Sequence, residues 1–214
     1  MYKTQKGRPP DLGPPQESAL SNLMGRLADL FAEEGTAAGD AAADALNKAL
    51  PGALDSPATT PIPSTLQTVL NAALTTPGAL PVTQEIAAAA PSLSWEFSGL
   101  KDGRIRREIA LSMATCHILG PNKGMFEAPI RVGFFLQGAG LDYPIRRHAA
   151  AETFLILAGT ADWACEGPHR PRPPGEFVQH PSMAGHASRT GAEPVLAAWH
   201  WTGDVGLESY RLEG

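Results

Sequence analysis

From Ser18 onward, apolar residues recur at spacings of three and four. Leu20, Leu23, Met24, Leu27, Leu30 and Phe31 fall on one face, the period of an amphipathic helix, and Gly35 ends the run. An alanine-rich stretch from Asp40 to Leu50, closed by Pro51 and Gly52, reads as a second helix. A third is expected from Ser64, a good N-cap residue, through Leu66, Val69, Leu70 and Ala73, with a short fourth at 83–89. The connections are rich in Pro, Thr and Ser and read as loops. Residues 1–15, polar and rich in Pro and Gly, read as a flexible tail.

Near Leu93 the texture changes. Short apolar runs at 93–98, 105–118, 130–136, 153–157, 161–165, 176–180 and 194–201 are separated by Gly, Pro and Asp clusters. Strands at this spacing suggest a sandwich or barrel. Val132, Phe134 and Leu136 alternate with smaller or polar neighbours, as in a half-buried strand. The expected organisation is therefore mainly β: a tail at 1–15, a helical region at 16–92 and a β-barrel at 93–214. The helical region either packs on the barrel or pairs one chain with another. No internal repeat is visible.

Composition narrows the partners. The formal net charge of −5 argues against a nucleic-acid phosphate partner, which would want a basic face. No stretch approaches the ~18 apolar residues that span a bilayer, and no apolar segment follows the N-terminus as in a signal peptide. The expectation is a cytoplasmic protein, monomeric or homodimeric, without nucleic-acid or membrane partners. Cys116 and Cys165 form no C-x-x-C pairing and read as two reduced thiols.

The informative stretch is GLDYPIRRHAAAETFLILAG, Gly140 to Gly159. Its spacing follows the first cupin motif, G-x5-H-x-H-x3-E-x6-G, with Arg146 at the first His, His148 at the second and Glu152 at the Glu. The second motif, G-x5-P-x-G-x2-H-x3-N, is followed by Gly175, Pro181 and His186, with Met183 and Thr190 at the inner Gly and terminal Asn. An even spacing lets His148 and Glu152 point to the same side of a strand, with His186 arriving from across the barrel. Two imidazoles and a carboxylate leave open positions on a divalent ion, an arrangement suited to catalysis. The donor set accepts zinc, iron, manganese, nickel or cobalt, with zinc or iron favoured. By alternation Arg146 shares the face of His148. Turned inward it would hold a substrate carboxylate; turned outward it would be neutral to the site.

The run GFFLQGAGLDYPIRRHAAAETFLILAGTADW resembles the dimethylsulfoniopropionate lyases of marine bacteria, in particular the DddQ type. The resemblance is specific over residues 130–201 and one of general layout over the helices. It implies a cupin barrel with a helical N-terminal region that cleaves dimethylsulfoniopropionate, a small zwitterionic sulfonium carboxylate, to dimethyl sulfide and acrylate. The family pattern Y-x-x-H-x-H-x3-E-x-Y places Tyr143 at the first Tyr, His148 and Glu152 at metal ligands, and His186 at the later His. Arg146 departs from the first His and Phe154 from the second Tyr, which puts full activity in doubt.

β-Elimination needs a base at the carbon next to the carboxylate. With Phe154 in the family's tyrosine position, Tyr143 is the candidate, its phenol requiring a pKa depressed by a metal or by Arg146. Its alternative is a barrel-rim aromatic. Trp163, Trp199 and Trp201 either face the sulfonium by cation–π attraction or fill the barrel, and Phe154 would line the substrate site. His180 lies at the mouth of the site or on the surface. His117, His169 and His200 have no spacing partner and read as structural or solvated. The segment Arg170-Pro-Arg-Pro-Pro reads as a loop near the barrel mouth. Two other functions stay open: a cupin metalloenzyme acting on another small carboxylate, and a non-catalytic ligand-binding cupin with Arg146 in the metal's place.

Overall fold

The computed structural model describes residues 18–54, 59–98 and 105–213; the expected tail at 1–15 lies outside them. Four helices come first: α1 (Ala19–Ala32), α2 (Ala37–Ala49), α3 (Ser64–Leu74) and α4 (Val82–Ala89). Ser18 caps α1, its hydroxyl accepting from the Ser21 amide at 3.0 Å, and Thr36 caps α2 through the Gly39 amide. The expected cap at Ser64 is replaced. Ser64 is already helical, and Pro63 stands at the cap without a side-chain hydrogen bond. The apolar stripe of α1 is fully inside, with Leu20, Leu23, Leu27 and Phe31 at 0 % exposure. Burial of each such side chain contributes about 1.5–3 kcal/mol.

The strands follow: β1 (Trp95–Phe97), β2 (Met113–Leu119), β3 (Arg131–Gln137), β4 (Asp142–Arg147), β5 (Ala150–Ala158), β6 (Ala161–Cys165), β7 (Arg170–Arg172), β8 (Phe177–His180), β9 (His186–Thr190), β10 (Val195–Gly203) and β11 (Arg211–Glu213). They form a six-stranded sheet, order β1-β2-β3-β10-β5-β8, and a five-stranded sheet, order β11-β4-β9-β6-β7. The apolar run at 105–118 divides: residues Arg107–Ala110 form a single helical turn, α5, before β2 begins. The Arg170 segment is not a plain loop, because β7 pairs with β6 at a sheet edge. Strands β4 and β9 escaped the apolar pattern because their inward positions are polar: Arg146 on one, His186 and Ser188 on the other.

The molecule has three layers. One core lies between the helices and the outer face of the six-stranded sheet, joining α1 and α3 to Phe134, Leu155, Leu157 and Leu196. The second lies between the two sheets, around Phe135, Tyr143, Phe154 and Trp163. Strand β3 therefore departs from the half-buried expectation. All seven of its residues are buried, because helices cover the face that carries Val132, Phe134 and Leu136. The helices pack on the barrel of their own chain. Among the described residues no helix is long and apolar enough to cross a membrane.

Candidate metal centre

His148 sits at the corner between β4 and β5, not on a strand shared with Glu152. The tight β4–β5 connection, rather than an even spacing along one strand, brings the two together. His186 opens β9 in the opposite sheet. Each imidazole is fixed by a carbonyl two residues away in the chain: His148 Nδ1 to Ala150 O and His186 Nδ1 to Ala184 O, both 3.0 Å. A carbonyl can only accept, so Nδ1 carries the hydrogen and Nε2 presents a lone pair. Both Nε2 atoms face Glu152 Oε2, at 3.4 Å for His148 and 3.2 Å for His186. The three ligand atoms lie within 4.8 Å of one another, and all three residues are buried. Two lone pairs directed at a carboxylate repel without a cation between them, and His186 Nε2 has no hydrogen-bond partner among the described residues. The donor set fits a divalent ion.

Glu152 is held from behind. Trp163 Nε1 donates to His180 Nε2 at 2.9 Å, which leaves His180 Nδ1 to donate to Glu152 Oε2 at 2.9 Å. Trp201 Nε1 donates to the other oxygen, Oε1. Burial alone would raise the carboxyl pKa; the hydrogen bond from His180 opposes it, and Glu152 is held well below the ordinary carboxylate range. Burial pushes His186 down to about 3, with Arg146 adding to the shift, so this imidazole stays neutral as a ligand must. Burial also lowers His180, against the pull of Glu152.

A cavity of about 320 Å³ opens in front of His148 and Glu152. Arg146 points into it and is 3 % exposed. Its guanidinium lies 4.0 Å over the Tyr143 ring and donates weakly to His186 O at 3.5 Å. Its second terminal nitrogen has no partner among the described residues. Simple alternation does not explain this wall. A register shift between Tyr143 and Arg146 breaks the β4–β9 pairing, and this irregularity turns both side chains inward although they are three residues apart.

Tyr143 Oη lies 2.6 Å from Tyr210 Oη, and Tyr210 stacks on His148. Burial pushes the Tyr143 phenol above its ordinary range, opposed by Arg146 and by the Tyr210 contact. The expected depression of this pKa is therefore absent from the protein alone: desolvation exceeds the guanidinium's effect. Phe154 and Trp199 line the cavity. Trp163 and His180 do not line it; they form the support behind Glu152, a correction to their expected place against substrate. His117 lines the outer cavity edge-on to Trp199, and His200 is buried on the sheet's other face. Tyr210 is a site residue that sequence reasoning missed; Trp201 was weighed against the sulfonium or as barrel filling, and its indole donates to Glu152. Tyr210 comes from the connection between β10 and β11, 67 residues from Tyr143, where the only signal is a tyrosine in a chain that has three.

Two packed antiparallel sheets, with two imidazoles and a carboxylate placed between them where they could hold a metal ion, define a cupin. Residues 35–197 match the dimethylsulfoniopropionate lyase family, and the chain belongs to it. It is 33% identical over 135 residues, 62% of its length, to dimethylsulfoniopropionate lyase DddQ of Ruegeria pomeroyi, an alignment that covers 66% of that protein, just under two thirds. The crystal structure of DddQ from Ruegeria pomeroyi superposes with a TM-score of 0.68 at 27% identity, over 91% of this chain and 95% of that one. A structure from work on the lyases RdDddP and RnDddQII shares the fold, with a TM-score of 0.66 at 22% identity over 92% and 98% of the two chains.

Proposed function

We propose that this protein is a metal-dependent carbon–sulfur lyase that cleaves dimethylsulfoniopropionate by β-elimination to dimethyl sulfide and acrylate. The observation that carries the reading is the convergence, around one cavity, of His148 and Glu152, with His186 beside them, a guanidinium that keeps one terminal nitrogen without a partner among the described residues, and a phenol pair. The three residues would hold one divalent ion, zinc or iron suiting the donor set best. When bound, it supplies Lewis-acid stabilisation of negative charge on the substrate carboxylate.

The chain's own residues do the rest. Arg146 donates its free N–H groups to the substrate carboxylate. Tyr143, as phenolate, takes the proton from the carbon next to that carboxylate. Tyr210 donates a hydrogen bond to the phenolate and fixes its direction. The C–H electron pair becomes the carbon–carbon double bond, the C–S bond breaks, and sulfur leaves with its electrons as neutral dimethyl sulfide. The proton on Tyr143 passes to solvent. Trp199 and Phe154 present aromatic faces toward the sulfonium. Headspace measurement of dimethyl sulfide from metal-loaded protein tests the proposal; no release above buffer across several divalent metals sinks it.

A second reading draws on Phe154, which removes the family's second phenol from its usual place. In that reading the same metal and Arg146 serve another small carboxylate. It expects bound metal, no dimethyl sulfide, and a rise in melting temperature with a different small acid; no such rise with any acid tried counts against it.

A further inference from the structure

On the outer face of the six-stranded sheet lies a second buried carboxylate. Glu34, in the turn between α1 and α2, has a side chain about 1 % exposed. Its Oε2 accepts from His200 Nε2 at 2.7 Å. Its Oε1 accepts from Thr153 Oγ1, Gln179 Nε2 and Thr36 Oγ1, each at 3.0 Å. Three of these donors come from three neighbouring strands, β10, β5 and β8. Phe31 of α1 packs edge-on to His200 from the same side. The turn can approach this closely because residue 39 is Gly: a Cβ there would lie 2.5 Å from Phe31 O and 2.9 Å from the Glu34 carboxylate.

The register makes this placement informative. His200 pairs with Thr153, and Thr153 with Gln179. One step along each strand, Trp201 pairs with Glu152, and Glu152 with His180. Successive residues of a strand face opposite sides. Glu34 therefore gathers the outward residues of the same three strands whose next inward residues are Glu152 and its two supporting donors. Fixing the first set fixes the spacing of the second.

We infer that Glu34 is a positioning residue for the metal centre: from the helical region it clamps strands β10, β5 and β8 in the register that directs Glu152 at His148 and His186. The inference rests on the metal-centre reading above. It makes the helices a working part of the site and gives them a task beyond covering apolar surface.

Cobalt(II) titration of the apo-protein, followed by visible absorption, tests it without relying on turnover. In a folded Glu34→Ala variant, cobalt binds about tenfold more weakly, as when outer partners of metal ligands are lost, and the visible bands shift. Where Glu34→Ala does not fold, Thr153→Val and Gln179→Leu each remove one donor to the clamp and shift the bands in the same direction by less. A role confined to stability lowers the melting temperature but leaves affinity and bands as in the wild type; that result, in any folded variant of this set, overturns the inference. Wild-type protein that takes up no cobalt overturns the metal-centre reading and this one together. Wild-type uptake with unaltered variants overturns this one alone.

Discussion

Glu152 and Glu34 are buried carboxylates on opposite faces of the same three strands, and their surroundings differ. Glu34 is met by four donors, from Thr36, Thr153, Gln179 and His200. Glu152 is met by two, His180 and Trp201, and faces two imidazole nitrogens that offer lone pairs. Beside it, Arg146 keeps a terminal nitrogen without a partner among the described residues. The outer carboxylate is satisfied by donors of the protein; the inner one faces two lone pairs and is suited to a cation. Burial alone does not separate the two, and neither do unpaired atoms, since His200 Nδ1 beside Glu34 has no partner among the described residues either. The groups that face each carboxylate do.

The strongest way to break the contrast is Glu152→Gln. It keeps the shape, removes the charge, and is expected to abolish stoichiometric metal by elemental analysis and bring dimethyl sulfide release to the buffer level. Tyr143→Phe should retain the metal and lower kcat by about 10²–10⁴-fold, the range for loss of a general base. Because burial raises the Tyr143 phenol, the reactive phenolate fraction grows with pH, so wild-type kcat/KM rises toward alkaline pH. A pH–rate profile of Tyr143→Phe should lack that limb.

Arg146→Met sharpens the comparison differently. Losing a charge-assisted hydrogen bond, about 1.5–3 kcal/mol, raises KM by about 10- to 100-fold. Replacing a buried cation whose contacts are a long hydrogen bond to His186 O and the Tyr143 ring face should also raise the melting temperature. An inner substitution that weakens binding while stabilising the fold is the signature of a site that is not self-satisfied.

His117 tests the outer cavity wall through acid stability. Burial, with Arg131 and Lys123 nearby, pushes its imidazole down to about 4. The unfolded chain takes up a proton below about 6.5, while the folded chain does so only near 4. This contribution is therefore complete above pH 6.5 and is lost as pH falls toward 4. Melting temperatures of His117→Gln should fall less steeply across that window. The smallest effect is at Met183, which holds a left-handed φ of 63° where the second motif has glycine. Met183→Gly should add about 0.5–1 kcal/mol in chemical denaturation and leave the metal unaffected.

The barrel and its trio were legible because motif spacing reports turns. Gly159 has φ 72°, and a Cβ there would lie 2.1 Å from Pro194 O, so only glycine fits and its distance from Glu152 is fixed. Tyr143 was named from the family pattern and not from alternation; that it and Arg146 share the inner face depends on a register shift between them that nothing in the letters marks. Tyr210, Trp201 and Glu34 meet partners 67, 49 and 166 residues away. Such contacts are made by tertiary packing and leave no local period. His180 was seen, but its role depends on which nitrogen Trp163 occupies, a matter of three-dimensional hydrogen bonding.

The shared core between helices and barrel bears on how this protein can be divided. Cut near residue 93, the barrel would present Phe134, Leu155, Leu157 and Leu196 to water as one apolar sheet face, the kind of patch that drives self-association. The barrel alone is thus not a module that engineering can lift out. Sharing one core, the helices and the barrel are to be transplanted or trimmed only together.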